Sequence, residues 1–388
     1  MSGQVAIVGV GQTTPSRADP RALSTMVADA VSQALADAGL TIADIDGFVT
    51  ESSAMPTMLP AARLMAELCH PMPESPFVAY GFPYGTGLAL APQLASLALE
   101  RGDAKYVLCW YGHHLSRDPL GPRASYAADP LKAELEMPAG WFGQPVYFAG
   151  IAQRYAAEYG LPDPALAAVA MEAREHAARS PGALKTKLLD LEAYRASPMI
   201  AEPLRGADCS LVSDGAIAFV MTSVERAKDL PQPVVRAAGW GVGTSTVVGD
   251  TWFTQNPDYL VTPAAISGAK AFSMAGMRPD EMNFAQLYDC FTINTILQFE
   301  DLGFAPRGQG AAFAIDKGRG LTDRLPVNTD GGLLAHSFML GGGHIVEGVR
   351  QLRGQRGAGQ VPGAERGIVT ALGVPHHASL ILERIHWL

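Results

Sequence analysis

The sequence predicts a layered α/β protein made of two similar halves, and three observations carry that prediction. "VAIVGVGQT", residues 5–13, is a short β-branched run closed by glycines, as a buried strand is. Leu23, Met26, Val27, Ala30, Val31, Ala34 and Leu35 then recur at helical spacing, and Gly39 supplies a stop before the apolar strand "IDGFVTE". The same order returns about 230 residues later. "VVRAAGWGVGT", residues 234–244, repeats the strand, and "AISGAKAFSMAGMRPDEMNFAQLYD" repeats helix, stop and strand. Aligned without gaps, Ala34, Ala38 and Gly39 fall on Ala271, Ala275 and Gly276, while Ile45 meets Met282. Strand, helix, strand is the unit of layered α/β architecture.

Length and composition agree. A chain of 388 residues is long for one core, and 48% hydrophobic with 17% charged residues describes a large buried interior. The expected division is 1–230 and 231–388. Residues 115–200 form an insert, unlike either repeat and rich in Pro, Gly and aromatics, that would shape a substrate site or an oligomer contact.

Several function classes are excluded at this level. A net charge of −9 with no basic aromatic stripe argues against nucleic acid as a partner. No apolar run approaches a membrane span, and the N-terminus lacks signal-peptide features, so a cytoplasmic location is expected. The four cysteines, at 69, 109, 209 and 290, form no C-x-x-C pair, and neither an acidic cluster nor a His-x-x-x-His pair offers metal ligands. The P-loop, the dinucleotide fingerprint and the G-x-S-x-G elbow are missing too.

The stretch "GLLAHSFMLGGGHIVEGVRQL", residues 332–352, is unusual: His336, then Gly341, Gly342 and Gly343, then His344 opening a helix. It reads either as a tight turn or as a backbone-lined site at a helix N-terminus facing an anion or oxyanion.

Together with "PLRGADCSLVSDGAIAFVM" and "QLYDCFTINTILQFEDLG", and in that order, this stretch resembles the thiolase superfamily, in its sterol-carrier-protein-type and lipid-transfer-protein branch. The resemblance covers nearly the whole chain. It implies a pair of βαβαβαββ halves in five layers (αβαβα), a dimer, and carbon–carbon chemistry beside a coenzyme A thioester. Coenzyme A would arrive with the substrate, and no separate cofactor or metal is implied. Many relatives work with a small zinc-ribbon/OB-fold protein, so such a partner is expected beside the homodimer. A homodimer also follows from the uncharged, apolar-rich segment around residues 75–110.

Three family positions depart from the thiolase pattern. Tyr84 stands where the nucleophilic cysteine would be, Ala371 or Leu372 where the second cysteine would be, and Phe338 replaces the histidine of the Gly-His-Pro motif. A phenol cannot readily replace a thiolate. The chain also resembles a subgroup of retro-aldolases that cleave the side chain of steroid-derived β-hydroxyacyl-CoA thioesters, which need no acyl-cysteine. Their Tyr-Asp-x-Phe motif falls on "YDCF", making Tyr288 the catalytic candidate, with His336 and His344 as donors or proton shuttles. Asp289 is expected to orient backbone rather than react. Tyr84, Phe338, Gly341, Gly342, Gly343, His376 and His377 are expected at the substrate, with His113 and His114 as further candidates. Two alternatives stay open: an acyltransferase or thiolase using another nucleophile such as Cys290, and a non-catalytic acyl-CoA-binding scaffold.

Overall fold

The computed structural model describes residues 5–51, 59–81, 86–117, 130–245, 252–258, 260–373 and 375–387. Its strands are β1 (Val5–Gln12), β2 (Gly47–Glu51), β3 (Phe77–Gly81), β4 (Val107–His114), β5 (Met199–Ala201), β6 (Leu204–Arg205), β7 (Asp214–Ser223), β8 (Val235–Thr244), β9 (Phe284–Gln286), β10 (Arg366–Gly373) and β11 (His376–Arg384).

Glycines in the two opening strands set how closely the two matching helices lie. A side chain at Gly9 would run into the Ala34 carbonyl of helix Leu23–Ala38, and one at Gly11 into that of Ala30. On β8, Gly239 and Gly241 face the carbonyls of Ala271 and Ser267 on helix Ala264–Ala275 in the same manner. Both helices end on a left-handed glycine, Gly39 at φ 69° and Gly276 at φ 65°. Each is followed by a 3₁₀ turn, Ile42–Asp44 or Pro279–Glu281. The matched residues are therefore matched in space.

Nine strands form one sheet in the order β3-β2-β4-β7-β1-β8-β11-β10-β9. The order is the same read outward from the centre in either direction. Where β1 meets β8, the pairing is short and antiparallel, Ala6 with Arg236 and Ile7 with Val235. Outward on one arm, β7 and β4 follow antiparallel, then β2 and β3 parallel. On the other arm, β11 and β10 follow antiparallel and β9 parallel, with a parallel bridge from Ala285 to Val327 in the place of a third strand.

Helix Leu23–Ala38 covers β1, β7 and β4 from outside, and helix Ala264–Ala275 covers β8 and β11. Helices Thr86–Ala89, Ala91–Arg101 and Gly342–Leu352 touch strands of both arms and so lie between them. The result is five layers, αβαβα, in a thiolase fold. The insert contributes helices Gln144–Tyr159, Pro164–Ala177 and Leu191–Ala196 and the small β5–β6 ribbon.

Candidate active site

Ligands in open α/β sheets bind beyond the carboxyl ends of parallel strands. Here those ends carry Glu51 on β2, Tyr111 and His113 near the end of β4, and Tyr288 just after β9. The middle-layer helices Thr86–Ala89 and Gly342–Leu352 start at the same place: Glu51 Oε1 accepts the Leu88 N–H at 3.3 Å, and a Cβ on Gly342 would lie 3.2 Å from Leu88 Cδ1.

Tyr288 is anchored through its backbone. Its N–H donates to Thr370 Oγ1 (2.8 Å), and its carbonyl accepts from Asn294 Nδ2 (2.5 Å) and Gln298 Nε2 (2.9 Å). Thr370 in turn donates to Gln298 Oε1 (2.6 Å), closing the clamp. The phenol is buried, which raises its pKa well above the ordinary value, and Cys290, Tyr111, Glu51 and Asp289 reinforce the rise. It is therefore a neutral O–H donor. Asp289 turns away from chemistry: its carboxylate accepts the N–H groups of Leu333 (2.8 Å) and Leu334 (3.2 Å), fixing the start of the Gly-rich segment. This is the orienting role the sequence suggested.

The Gly-rich segment is a tight turn and a site lining together. Leu340 (φ 45°) and Gly341 (φ 83°) are both left-handed, an arrangement that costs a leucine about 1–3 kcal/mol. The helix begins at Gly342, so His344 lies within its first turn rather than opening it. Gly341 rests on Ala371, one of the two residues, with Leu372, expected nearest the second cysteine position; its would-be Cβ lies 3.0 Å from Ala371 Cβ. His344 is 2% exposed and neither ring nitrogen has a hydrogen-bond partner, although Nε2 lies 3.4 Å from Asp289 Oδ1. His336 is engaged: its Nδ1 meets Ser337 Oγ at 2.9 Å and Asp330 Oδ2 at 3.8 Å. Burial pushes Asp330 up, but His336, His344 and Arg356 together hold it below the usual carboxylate value.

The structure brings Tyr288, Asp289, Cys290, His344 and the Gly-rich turn into one region, and separates others from it. His377 turns to the outer helix, bonded to Ser267 Oγ (2.7 Å), and reaches Tyr288 only through Gln298 Oε1 (3.4 Å). The sequence-based expectation that it faces substrate is corrected to a supporting place. His376 is half-buried and meets Thr244 Oγ1 at 3.0 Å across the β8–β11 pairing. His114 is drawn to the Arg21 carbonyl (3.1 Å) and to Asp214 (3.6 Å). Cys290 is at the site, yet burial and Asp289 raise its thiol well above the ordinary value, the opposite of an activated nucleophile. Tyr84 lies outside the described residues.

Sequence reasoning missed Glu51 and Tyr111. The signal for the latter was present: in "WYGHH", Tyr111 and His113 are two apart and therefore share a strand face. No group of His, Cys, Asp and Glu that could hold a metal occurs among the described residues, and no described helix is long and apolar enough to cross a membrane.

Five layers closing on a phenol, a buried imidazole and a Gly-rich helix start define a thiolase-fold protein, with alanine or leucine where the second family thiol is expected. Residues 245–384 match the thiolase C-terminal domain-like family. The chain is 35% identical, over 97% of its length and 98% of the relative's, to the 17-hydroxy-3-oxo-4-pregnene-20-carboxyl-CoA lyase of Mycobacterium tuberculosis. It is 32% identical to the steroid side-chain-cleaving aldolase of Thermomonospora curvata, over 91% of both chains. A solved structure described as the Ltp2–ChsH2(DUF35) aldolase superposes with a TM-score of 0.90 at 32% identity, covering 100% of this chain and 99% of that one. The chain belongs to the thiolase superfamily, in the branch of the steroid side-chain-cleaving aldolases, and is a carbon–carbon lyase of that branch.

Proposed function

We propose that this protein cleaves the Cα–Cβ bond of a steroid-type β-hydroxyacyl-CoA by a retro-aldol reaction, giving a carbonyl compound and a shortened acyl-CoA. The observation that carries the reading is the neutral, backbone-clamped Tyr288 phenol at the convergence of the two halves. In that reaction the β-hydroxyl loses its proton, the C–C electron pair passes into the thioester as an enolate, and Cα takes up a proton. Tyr288 is the donor to Cα. A phenol whose pKa burial has raised still gives its proton readily to a carbanion, and it stays protonated until then. His344, with two unsatisfied ring nitrogens beside the helix N-terminus, holds the thioester oxygen where negative charge develops. Phe338 and the backbone of Gly341, Gly342 and Gly343 line the acyl group, and His336 sets the turn through Ser337.

The reaction is redox-neutral and balances without a separate cofactor, coenzyme A entering as part of the substrate. The proposal treats residues 1–230 and 231–388 as the two halves, the site lying between them. It includes a homodimer formed along the β3 edge and a small zinc-ribbon/OB-fold partner, the latter supported by the two-component description of the similar solved aldolase.

The test is incubation with a panel of β-hydroxyacyl-CoA thioesters, with and without a candidate partner. Released ketone or aldehyde in equal amount with shortened acyl-CoA is the expected result. Acyl transfer without release of a carbonyl product would replace this reading with the Cys290 alternative.

A further inference from the structure

We propose that Tyr111 is a second catalytic phenol of this site, taking the β-hydroxyl proton while its own proton passes to His113. The proposal rests on the retro-aldol reading and adds the base that reading leaves unnamed.

The geometry fixes the direction of each hydrogen bond. His113 Nε2 lies 2.7 Å from the Ser213 carbonyl oxygen, which can only accept, so Nε2 carries the hydrogen. Burial pushes the imidazole down to about 4, so it is neutral and Nδ1 keeps a lone pair. Nδ1 lies 3.2 Å from Tyr111 Oη and must be the acceptor. The Tyr111 proton is thereby committed to His113, and the lone pairs of its oxygen remain for a partner on the other side. The side chain is 6% exposed and its burial, with Glu51 close by, raises its pKa.

His113 is tied to the Gly-rich turn as well. Its ring packs against Phe338 with centroids 5.7 Å apart, and Ser213, which holds His113 through its carbonyl, receives the Phe338 N–H on Oγ at 2.9 Å. The unit Tyr111–His113–Ser213–Phe338 thus couples the end of β4 to the residues after His336. Across the β4–β7 pairing Tyr111 stands opposite Ile217, whose side chain lies against Gly342, so this end of β4 meets the Gly-rich helix start.

A weak imidazole base suffices here. As the Cα–Cβ bond breaks, the β-hydroxyl becomes the O–H of a protonated carbonyl, a far stronger acid than imidazolium. The hydroxyl proton moves to Tyr111 Oη, the Tyr111 proton moves to His113 Nδ1, the C–O bond becomes C=O, and the C–C pair becomes the enolate that Tyr288 protonates. One proton has entered at Tyr111 and one has left from Tyr288. Loss of the extra proton from His113 through Tyr111 to water, and uptake of one proton from water by the Tyr288 phenolate, restore the resting state, and no other reactant is required.

The experiment compares wild type, Tyr111→Phe, His113→Gln and Tyr288→Phe in single-turnover cleavage of the β-hydroxyacyl-CoA that wild type turns over best, with thermal unfolding in parallel. Tyr111→Phe is expected to lose roughly 10²- to 10⁴-fold in cleavage rate with little change in KM. His113→Gln keeps a donor for Ser213 but offers Tyr111 only an amide oxygen, which accepts a hydrogen bond without taking up the proton, so its rate falls less. Its rate in mixtures of light and heavy water should depend linearly on deuterium content, where wild type, with two protons in flight, gives a curve. A structural role for His113 would not change that curvature. If Tyr111→Phe cleaves at the wild-type rate while Tyr288→Phe does not, or if His113→Gln keeps the curved dependence, the Tyr111 proposal is overturned and the retro-aldol reading stands. If wild type releases no carbonyl product, the retro-aldol reading fails and this proposal falls with it. Should Tyr111→Phe fail to fold, the His113→Gln isotope dependence decides alone.

Discussion

Tyr288 is held by what its backbone does, not by its hydroxyl, and that separates its structural from its chemical contribution. Its hydrogen bonds to Thr370, Asn294 and Gln298 are all made by main-chain atoms of Tyr288. Tyr288→Phe is accordingly expected to keep fold and acyl-CoA affinity, costing on the order of 1 kcal/mol in stability. Turnover should fall roughly 10²- to 10⁴-fold, about 3–5 kcal/mol of barrier. Calorimetric binding and single-turnover cleavage on one preparation would check it; wild-type turnover in the variant ends the acid role. His344 makes the contrasting case. A buried imidazole with no hydrogen-bond partner is disfavoured until something fills the gap. His344→Ala should therefore slow turnover by roughly 10²-fold, the usual loss for one donor to a developing oxyanion, with an unfolding midpoint close to wild type. Iodoacetamide, by contrast, should leave turnover nearly intact, because the Cys290 thiol is buried with a raised pKa. Inactivation with the label mapped to Cys290 by mass spectrometry would bring back the acyl-transfer alternative.

At the scale of elements, the strand–helix unit was legible because its physics is local. Gly9 and Gly239 are glycine for one reason, that a helix carbonyl occupies the space a Cβ would need, and this constraint shows in the sequence as a repeat. Gly239→Ala should destabilise the protein by about 1–3 kcal/mol, as overpacking does, and a lowered urea midpoint at unchanged KM would register it. The site was less legible, because its parts are brought together by layers rather than by spacing. "YDCF" and the Gly-rich segment could be singled out from their own residues. Nothing local in "IDGFVTE" says that its last carboxylate ends beside helix Thr86–Ala89, and nothing in "PHHAS" says that His377 faces outward. Both depend on strand register across the sheet: His377 pairs with Gly243 on β8, which turns its ring toward Ser267 and helix Ala264–Ala275. Alternation along β4 would have found Tyr111 with His113, had the strand been read face by face.

For the whole molecule, buried neutral histidines predict how stability follows pH. Burial pushes His377 from 6.5 down to about 3 and His113 down to about 4. Below pH 6.5 the unfolded chain takes up these protons and the folded protein does not. Unfolding is therefore favoured progressively as pH falls from 6.5 toward 4, and the stability lost is present in full above 6.5. His377→Gln, which lies away from Tyr111 and His344, should flatten that fall by on the order of 1 kcal/mol per pH unit, the weight of one proton. Urea midpoints of both proteins at pH 7, 5.5 and 4.5 would show it, and parallel lines would mean that His377 does not titrate in this range.

The same scale governs assembly. Among the described residues, strand β3 ends one arm of the sheet. Along it Val78 is 40% and Tyr80 47% exposed, and Leu97 on helix Ala91–Arg101 is 54% exposed. A cavity of about 740 Å³ opens next to them, lined by Tyr80, Leu94 and Trp240 among others. An apolar sheet edge left open is a template for pairing with another chain. A second copy related by a two-fold axis would satisfy it, since one patch then covers itself and closes the assembly. The prediction is a dimer in sedimentation at micromolar concentration. Tyr80→Lys should shift it toward monomer by placing like charges across the two-fold axis, without lowering the unfolding midpoint in proportion. The patch lies close to the site as well: Gly81 closes β3 beside Glu51 on β2, so dissociation should raise KM before it lowers stability. A wild-type chain that sediments as an active monomer, or a Tyr80→Lys variant that remains dimeric, would place the contact elsewhere and leave the β3 edge to a different partner.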